Sequence, residues 1–544
     1  MYLHCFKKKN KMDYFTMLTE LHRHKLKKLF MLLIAIQLIL PAWGQLSSTE
    51  IDNLVADAME KFTVAGVAVG VVKDGKIIHA KGYGVKSVDT GAPVDEHTSF
   101  AIASNSKAFT SAALAILVEE GRLSWQDRVV DHIPEFRMYN DYVTQNFNIQ
   151  DLLTHRSGLG LGAGDLQKWP SGSDFTIDDM LVNFQHFEPV SAFRTKYDYD
   201  NILYLVAGEV IKRVSGMPWE EFVKTRIMEP LNMDNSFTLP PGMVEADKLA
   251  SPHLAESGRL RTIPYYELDP TKINGAAGGV LSNVDDLCRW MLVHLNEGRY
   301  GEQLEKQLFT AASQREMWQI HTTIPVRPDS RYNPHFSGYG LGWRLTDMHG
   351  QFCVSHTGDL SGMLSKTIML PDLELGVVVL TNSYYGGAGL FRAVSQTIVD
   401  AYLGLEDYGW TDRYLASFRS GSGDAEAEVA RVWNTVEAAS DAPIDPDDYK
   451  GIYEDPWFGK IKIYLQGDQL WFTSLRSPAL TGPMYFYKAN AFAIRWEKRE
   501  LDADAFAIFR LDEEGRAESI RMKGISPDID FSYDFQDLNL KRID

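Results

Sequence analysis

Strand-like and helix-like segments are spread unevenly along this chain, and their distribution limits the available folds more than any single residue does. Val67 to Val72, the turn Asp74-Gly75 and Lys76 to Ala80 predict a β-hairpin, because Asp-Gly supplies the left-handed conformations that a tight connection needs. The next strand signals come far downstream, at 352–356, 364–370 and 374–381, the last two separated by Pro371-Asp372. Apolar periodicity predicts helices near 104–120, 200–215 and 283–296 between them, and another at about 389–403 after them. A first helix carries Ile51, Leu54, Val55, Ala58 and Phe62 behind the capping candidates Ser47 to Thr49. Strands at both ends with helices between them predict an α+β domain over 45–405. It is an antiparallel sheet built from both ends of the segment and flanked by helices, with a helical lobe inserted.

Residues 406–447, with Ser420-Gly421-Ser422-Gly423, an Ala/Glu-rich stretch and Ala442-Pro443, read as a linker carrying one helix. From 449 onward short β runs follow at 449–453, 459–465, 469–474, 484–488, 491–496, 505–511, 516–523 and 529–535. So many short strands in so few residues predict a small antiparallel β-barrel over 448–544.

The N-terminus reads as a signal peptide over 1–44. Lys25, Lys27 and Lys28 precede the run Leu29 to Leu40, and Ala42-Trp43-Gly44 offers a small-x-small cleavage site, which makes Gln45 the first mature residue. The run is shorter than the about 20 residues that span a bilayer, so no stable membrane span is expected after cleavage. The competing reading is an uncleaved anchor. Either way the protein is expected to be exported, periplasmic or extracellular.

The formal charge is −18, and residues 1–44 hold eight Lys/Arg against two Asp/Glu, so the remainder is more acidic still. Such a surface repels phosphate backbones and argues against a nucleic-acid partner. Of the three cysteines, Cys5 lies in the leader, and Cys288 and Cys353 read as buried small residues rather than a bridge. No CxxC or HExxH occurs, which removes the usual markers of a metal or redox cofactor.

Chemistry has three candidate positions. Ser104-Asn105-Ser106-Lys107 opens the Ala/Leu-rich helix Ala108 to Leu117, so Ser104 and Lys107 share a face one turn apart. A hydroxyl needs a base within reach to become a nucleophile, and an amine serves once burial or nearby positive charge lowers its pKa from about 10.4. Tyr199-Asp200-Asn201 precedes the apolar helix Ile202 to Val214, and Val354-Ser355-His356-Thr357-Gly358 ends an apolar strand. Taken singly, these are a capped helix start, a packed tyrosine and a strand-to-turn transition. Their order and spacing say more: Tyr199 lies 95 residues after Ser104, and His356 lies 157 after Tyr199. His155-Arg156-Ser157-Gly158 also pairs a His with a Ser, and reads better as a tight turn supporting the lobe.

In these motifs the chain resembles the serine β-lactamase and penicillin-binding-protein superfamily, in its class C β-lactamase-like branch, which shows S-x-x-K, Y-x-N and K/H-T-G in this order. Asp151 to Leu159, Gly278 to Ser282 and Gly338 to Trp343 are similar too, and the resemblance covers about 45–405. The region after 449 resembles the lipocalin-like domain appended to some members.

The resemblance implies a hydrolase with Ser104 as the nucleophile of an acyl-enzyme, and Lys107 and Tyr199 sharing the proton traffic. It implies Asn201 on a substrate amide, and backbone N–H groups of Ser104 and Asp359 around the oxyanion, with no cofactor. His356-Thr357-Gly358 stands where β-lactamases have Lys-Thr-Gly. A histidine near its ordinary pKa is mostly neutral at pH 7, and Asp359 beside it is acidic. The expected small-molecule or peptide substrate is therefore an ester or an amide with a neutral or cationic end. The alternatives are a β-lactamase or peptidoglycan DD-peptidase, and a non-catalytic binding protein or scaffold of the same fold.

Overall fold

The structure, a computed structural model, describes residues 46–238, 244–256, 258–264, 275–327, 331–360, 362–439 and 443–544. The proposed leader and its cleavage site lie outside the described residues.

The first helix, Ser48–Phe62, starts at a capping box: Ser47 Oγ accepts from Glu50 N, while the Glu50 carboxylate takes the Ser47 N–H. The hairpin Gly66–Lys73 and Lys76–Gly84 then forms one edge of an eight-stranded antiparallel sheet. Its inner strand pairs with Leu375–Thr381, in the register Val67 opposite Thr381. Beyond that lie Met363–Leu370, Gln351–Leu360, Arg344–Met348 and two short strands. The sheet is thus assembled from both ends of the segment, as the strand distribution requires.

Strand alternation sorts the core into two layers. Val67, Val69, Val71, Val377 and Val379 face the helices Ser48–Phe62 and Tyr384–Tyr402. Ala68, Val72, Val378 and Leu380 face Val284–Leu295 and the helical lobe. Through that lobe runs Ser106–Glu119, buried from Ser106 to Leu117, as befits a helix with hardly a charge on any side. Cys288 and Cys353 are both free and buried.

Eight strands from Gly451 to Arg542 close into an antiparallel barrel, the last pairing with the first at Tyr453 opposite Arg542. It docks on the helical lobe: the Trp457 ring lies 4.7 Å from Phe187, and Arg476 pairs with Asp174 at 2.7 Å and Asp179 at 2.9 Å. One continuous apolar cluster runs from the lobe into the barrel interior.

Two stretches differ from their sequence reading. The alternation of Ile529, Phe531 and Tyr533 predicts a strand at 529–535, yet the closing strand is Leu540–Arg542 and the earlier residues form a loop. There Asp530 Oδ1 accepts from Ser532 N, and turn chemistry outweighs the period-two pattern. Second, Trp410–Ala438 is one helix that passes unbroken through Ser420–Gly423. Each mid-helix glycine costs about 1 kcal/mol against alanine, and packing at the ends offsets it. Trp410 and Tyr414 pack into the sheet-side core at one end, where Trp410 Nε1 donates to Asp400 at 2.8 Å, and Val432 and Val436 are buried against the barrel at the other. No helix among the described residues is long and apolar enough to cross a membrane.

Candidate active site

Ser104 sits in a 3₁₀ turn, Ala103–Asn105, that feeds the helix Ser106–Glu119. The preceding Ala103 has φ +47°, a conformation that L-residues adopt only under constraint. The constraint is visible. Asn105 Nδ2 donates to Ser365 Oγ at 2.8 Å, Ser365 Oγ donates to Ile102 O at 2.7 Å, and Val280 N donates to Ser106 Oγ at 3.0 Å. The strand Gln351–Leu360 presses against the same turn, so a Cβ on Gly358 would lie 2.1 Å from Ile102 O. Glycine at 358 is what lets the strand approach the turn that carries Ser104.

Lys107 is wholly buried, and its Nζ lies 3.1 Å from Ser104 Oγ, 2.7 Å from Asn201 Oδ1 and 2.9 Å from Ala277 O. Burial, aided by the Lys168 charge, holds the amine well below the ordinary lysine range. Asn201 Oδ1 and Ala277 O can only accept. A neutral amine spends its two N–H groups on them and turns its lone pair toward Ser104. The Asn201 amide cannot flip freely, because its Nδ2 donates to Asp165 Oδ2 at 2.8 Å.

Tyr199 closes the other side. Its ring lies 4.8 Å from Lys107 Nζ, and its hydroxyl faces Ser104, which favours the phenolate while burial pushes the phenol upward far more strongly. Positions 104, 107 and 199 therefore meet in one site. Asp200, not Asn201, caps the following helix: its Oδ1 accepts from Leu203 N at 3.2 Å. Burial pushes the Asp200 carboxyl up to about 8 and that of Asp165 up to about 6, so at pH 7 Asp200 is largely neutral beside the amine while Asp165 stays mostly ionised.

His356 borders the cleft but presents little to it. Nδ1 lies 2.6 Å from Thr357 O, an acceptor, and Nε2 lies 2.9 Å from the Tyr339 hydroxyl, which assigns the proton to Nδ1. Burial and the Arg344 charge hold this histidine well below its ordinary pKa, so it is neutral. Thr357 and Asp359 are the members of this strand whose side chains open into the cleft. The surrounding cleft walls desolvate the Asp359 carboxyl, and with Asp530 nearby it is pushed up to about 7.

Two participants, Asp165 and Arg344, carry no motif, and His155 belongs to the stretch Asp151 to Leu159. Asp165 orients Asn201. The Arg344 guanidinium, 5.4 Å from the Tyr197 ring and 6.0 Å from Tyr339, brings a permanent cation to the cleft. His155 lies under Tyr199, its ring 4.2 Å away, with Nδ1 accepting from Asp200 N; it supports the floor and is not a second centre. The cleft encloses about 500 Å³, and its far wall comes from the barrel, including Arg499, Asp502, Asp530 and Phe531.

Against known families, the Beta-lactamase model matches residues 51–397, and a Domain of unknown function (DUF3471) matches 437–542. Unguisins hydrolase ungD of Aspergillus violaceofuscus is 26% identical over 383 residues, 67% of each chain. Protein flp of Staphylococcus aureus is 25% identical over 352 residues, 62% of this chain and 63% of its own. Among solved structures, the octameric penicillin-binding protein homologue from Pyrococcus abyssi superposes with TM-score 0.57 at 20% identity, covering 91% of this chain and all of that one. SurE superposes with TM-score 0.52 at 19% identity, covering 91% and 99%. These two similarities concern the fold.

Proposed function

The chain belongs to the Beta-lactamase family, and on that premise we propose that it is a serine hydrolase acting through an acyl-enzyme on ester or amide, peptide-like substrates. Ser104 Oγ bonds to the carbonyl carbon while its proton passes to Lys107, directly or relayed through the Tyr199 hydroxyl, and the carbonyl electron pair moves onto oxygen. Backbone N–H groups of Ser104 and Asp359 receive that oxyanion; one such donor is worth on the order of 10²–10³ in rate. Collapse breaks the bond to the leaving alcohol or amine, which takes a proton from Tyr199. Water, deprotonated by the Tyr199 phenolate that this step leaves, then attacks and releases the acid from Ser104, and the Lys107 ammonium returns its proton to the serine oxygen.

The observation that carries this reading is the lone pair of Lys107, left for Ser104 by two carbonyl acceptors. A binding protein has no use for a buried neutral amine wired in this way. Neutral His356 offers no standing charge to a substrate carboxylate, and Asp359 and Asp530 line the cleft, which supports esters and amides with neutral or cationic ends. Arg344 favours a second reading, a β-lactamase or DD-peptidase whose substrate carboxylate rests on the guanidinium.

A fluorophosphonate probe tests the chemistry: wild type is labelled and Ser104→Ala is not, and silence toward every acylating probe would favour the scaffold. A panel of p-nitrophenyl esters, D- and L-amino acid amides and β-lactams separates the two substrate readings. Turnover of esters with poor hydrolysis of benzylpenicillin supports the first, and rapid penicillin hydrolysis without esterase activity supports the second. Lys25 to Gly44 supports export, with Gln45 as the N-terminus of the secreted protein, which N-terminal sequencing reads directly.

A further inference from the structure

The loop between the last two barrel strands, residues 525–539, reaches the floor of the cleft. Phe531 lies edge-on to Tyr199 with ring centroids 5.7 Å apart, and 37% of it remains exposed, facing the cleft. The loop is pinned on both sides of that ring. Before Asp165, a Cβ on Gly162 would lie 2.5 Å from Phe531 O, and Gly162 N in turn donates to Tyr199 O at 2.8 Å. After Phe531, the fully buried Asp534 carboxyl accepts from Gly164 N at 2.7 Å and Leu166 N at 2.9 Å. Phe531 is therefore held in place by backbone contacts on the segment that carries Asp165, and the barrel supplies a fixed wall of the site.

We propose that Phe531 is a specificity-determining residue that limits the size of the leaving group. The inference rests on the acyl-enzyme reading, in which Tyr199 protonates the leaving group, so the group departing from Ser104 lies on the Tyr199 side. The Phe531 ring stands across that side, and a longer leaving group meets it.

The test uses the full chain and compares kcat/KM for phenyl acetate and 4-biphenylyl acetate, whose leaving phenols are close in acidity and differ in length. Phe531→Ala raises the biphenylyl-to-phenyl ratio by about tenfold or more, and Phe531→Trp lowers it. A p-nitrophenyl series from acetyl to hexanoyl reads the acyl side, where the ratios stay within about twofold of wild type. Unmoved leaving-group ratios in both variants, with Ser104 still labelled by a fluorophosphonate, overturn the proposal. So does a shift confined to the acyl series. Loss of labelling in the wild-type chain instead overturns the nucleophile on which the proposal depends.

Discussion

The floor and the rim of the cleft are built on opposite principles. The floor is closed: Lys107 is fully buried between Ser104, Asn201 and Ala277, and Asp165 holds the Asn201 amide behind it. The rim is wet and charged, and Arg499, Asp502 and Asp530 reach it from a different part of the chain. Burial in the floor lowers the Lys107 pKa, which on the proposed acyl-enzyme reading lets the lysine act as a base. The rim, free of that demand, can vary and select. Variants that strike the floor should therefore abolish turnover across substrates, whereas rim variants should reorder them.

The largest expected effect is Ser104→Ala, which should lose turnover by on the order of 10⁵-fold or more on every substrate, read in ester hydrolysis with excess enzyme. Gly358→Val comes next. Its side chain collides with Ile102 O and moves the strand that carries Asp359, so kcat should fall by about 10²–10³-fold. A kcat left intact there would detach the strand from the chemistry. Asp165→Ala should cost about 10–100-fold in kcat by freeing the Asn201 amide to turn, and Asp165→Asn should recover most of it, since an amide oxygen still accepts from Asn201. Equal loss in both would mean that Asp165 acts by its charge.

The smallest effect concerns pH. The Lys168 charge lowers the Lys107 pKa, so Lys168→Gln should raise it, and the neutral base then appears only at higher pH. The acid limb of kcat/KM should move up by a few tenths of a pH unit. An unmoved limb would assign that limb to another group.

How legible these features are in the sequence depends on how far apart in the chain their causes lie. Ser104 and Lys107 share one helical turn, and the Asp74-Gly75 hairpin is equally local. The strands at 352–381 declare themselves by apolar runs. Asp534 on Gly164 and Leu166, or Tyr339 on His356, are meetings of distant or differently oriented segments with no local signature. The loop around Phe531 even carries a misleading one, since Ile529, Phe531 and Tyr533 alternate as a strand would while each serves a turn or a docking contact. Asp165 lies in a glycine-rich stretch that reads as ordinary loop, and its role exists only once Asn201 is folded against it.

The helix Trp410–Ala438 acts as a ruler between the two halves. One end is keyed by Trp410 and Tyr414 to the sheet-side core and the helix Tyr384–Tyr402, and the other by Val432 and Val436 to the barrel. Each residue added or removed between those keys turns one end about 100° relative to the other and shifts it about 1.5 Å. The number of residues across Ser420–Gly423 is thus constrained even though their identities look permissive. A chain could retain its whole catalytic floor and still, by a single insertion there, swing the aromatic ring of the barrel away from the phenol it faces.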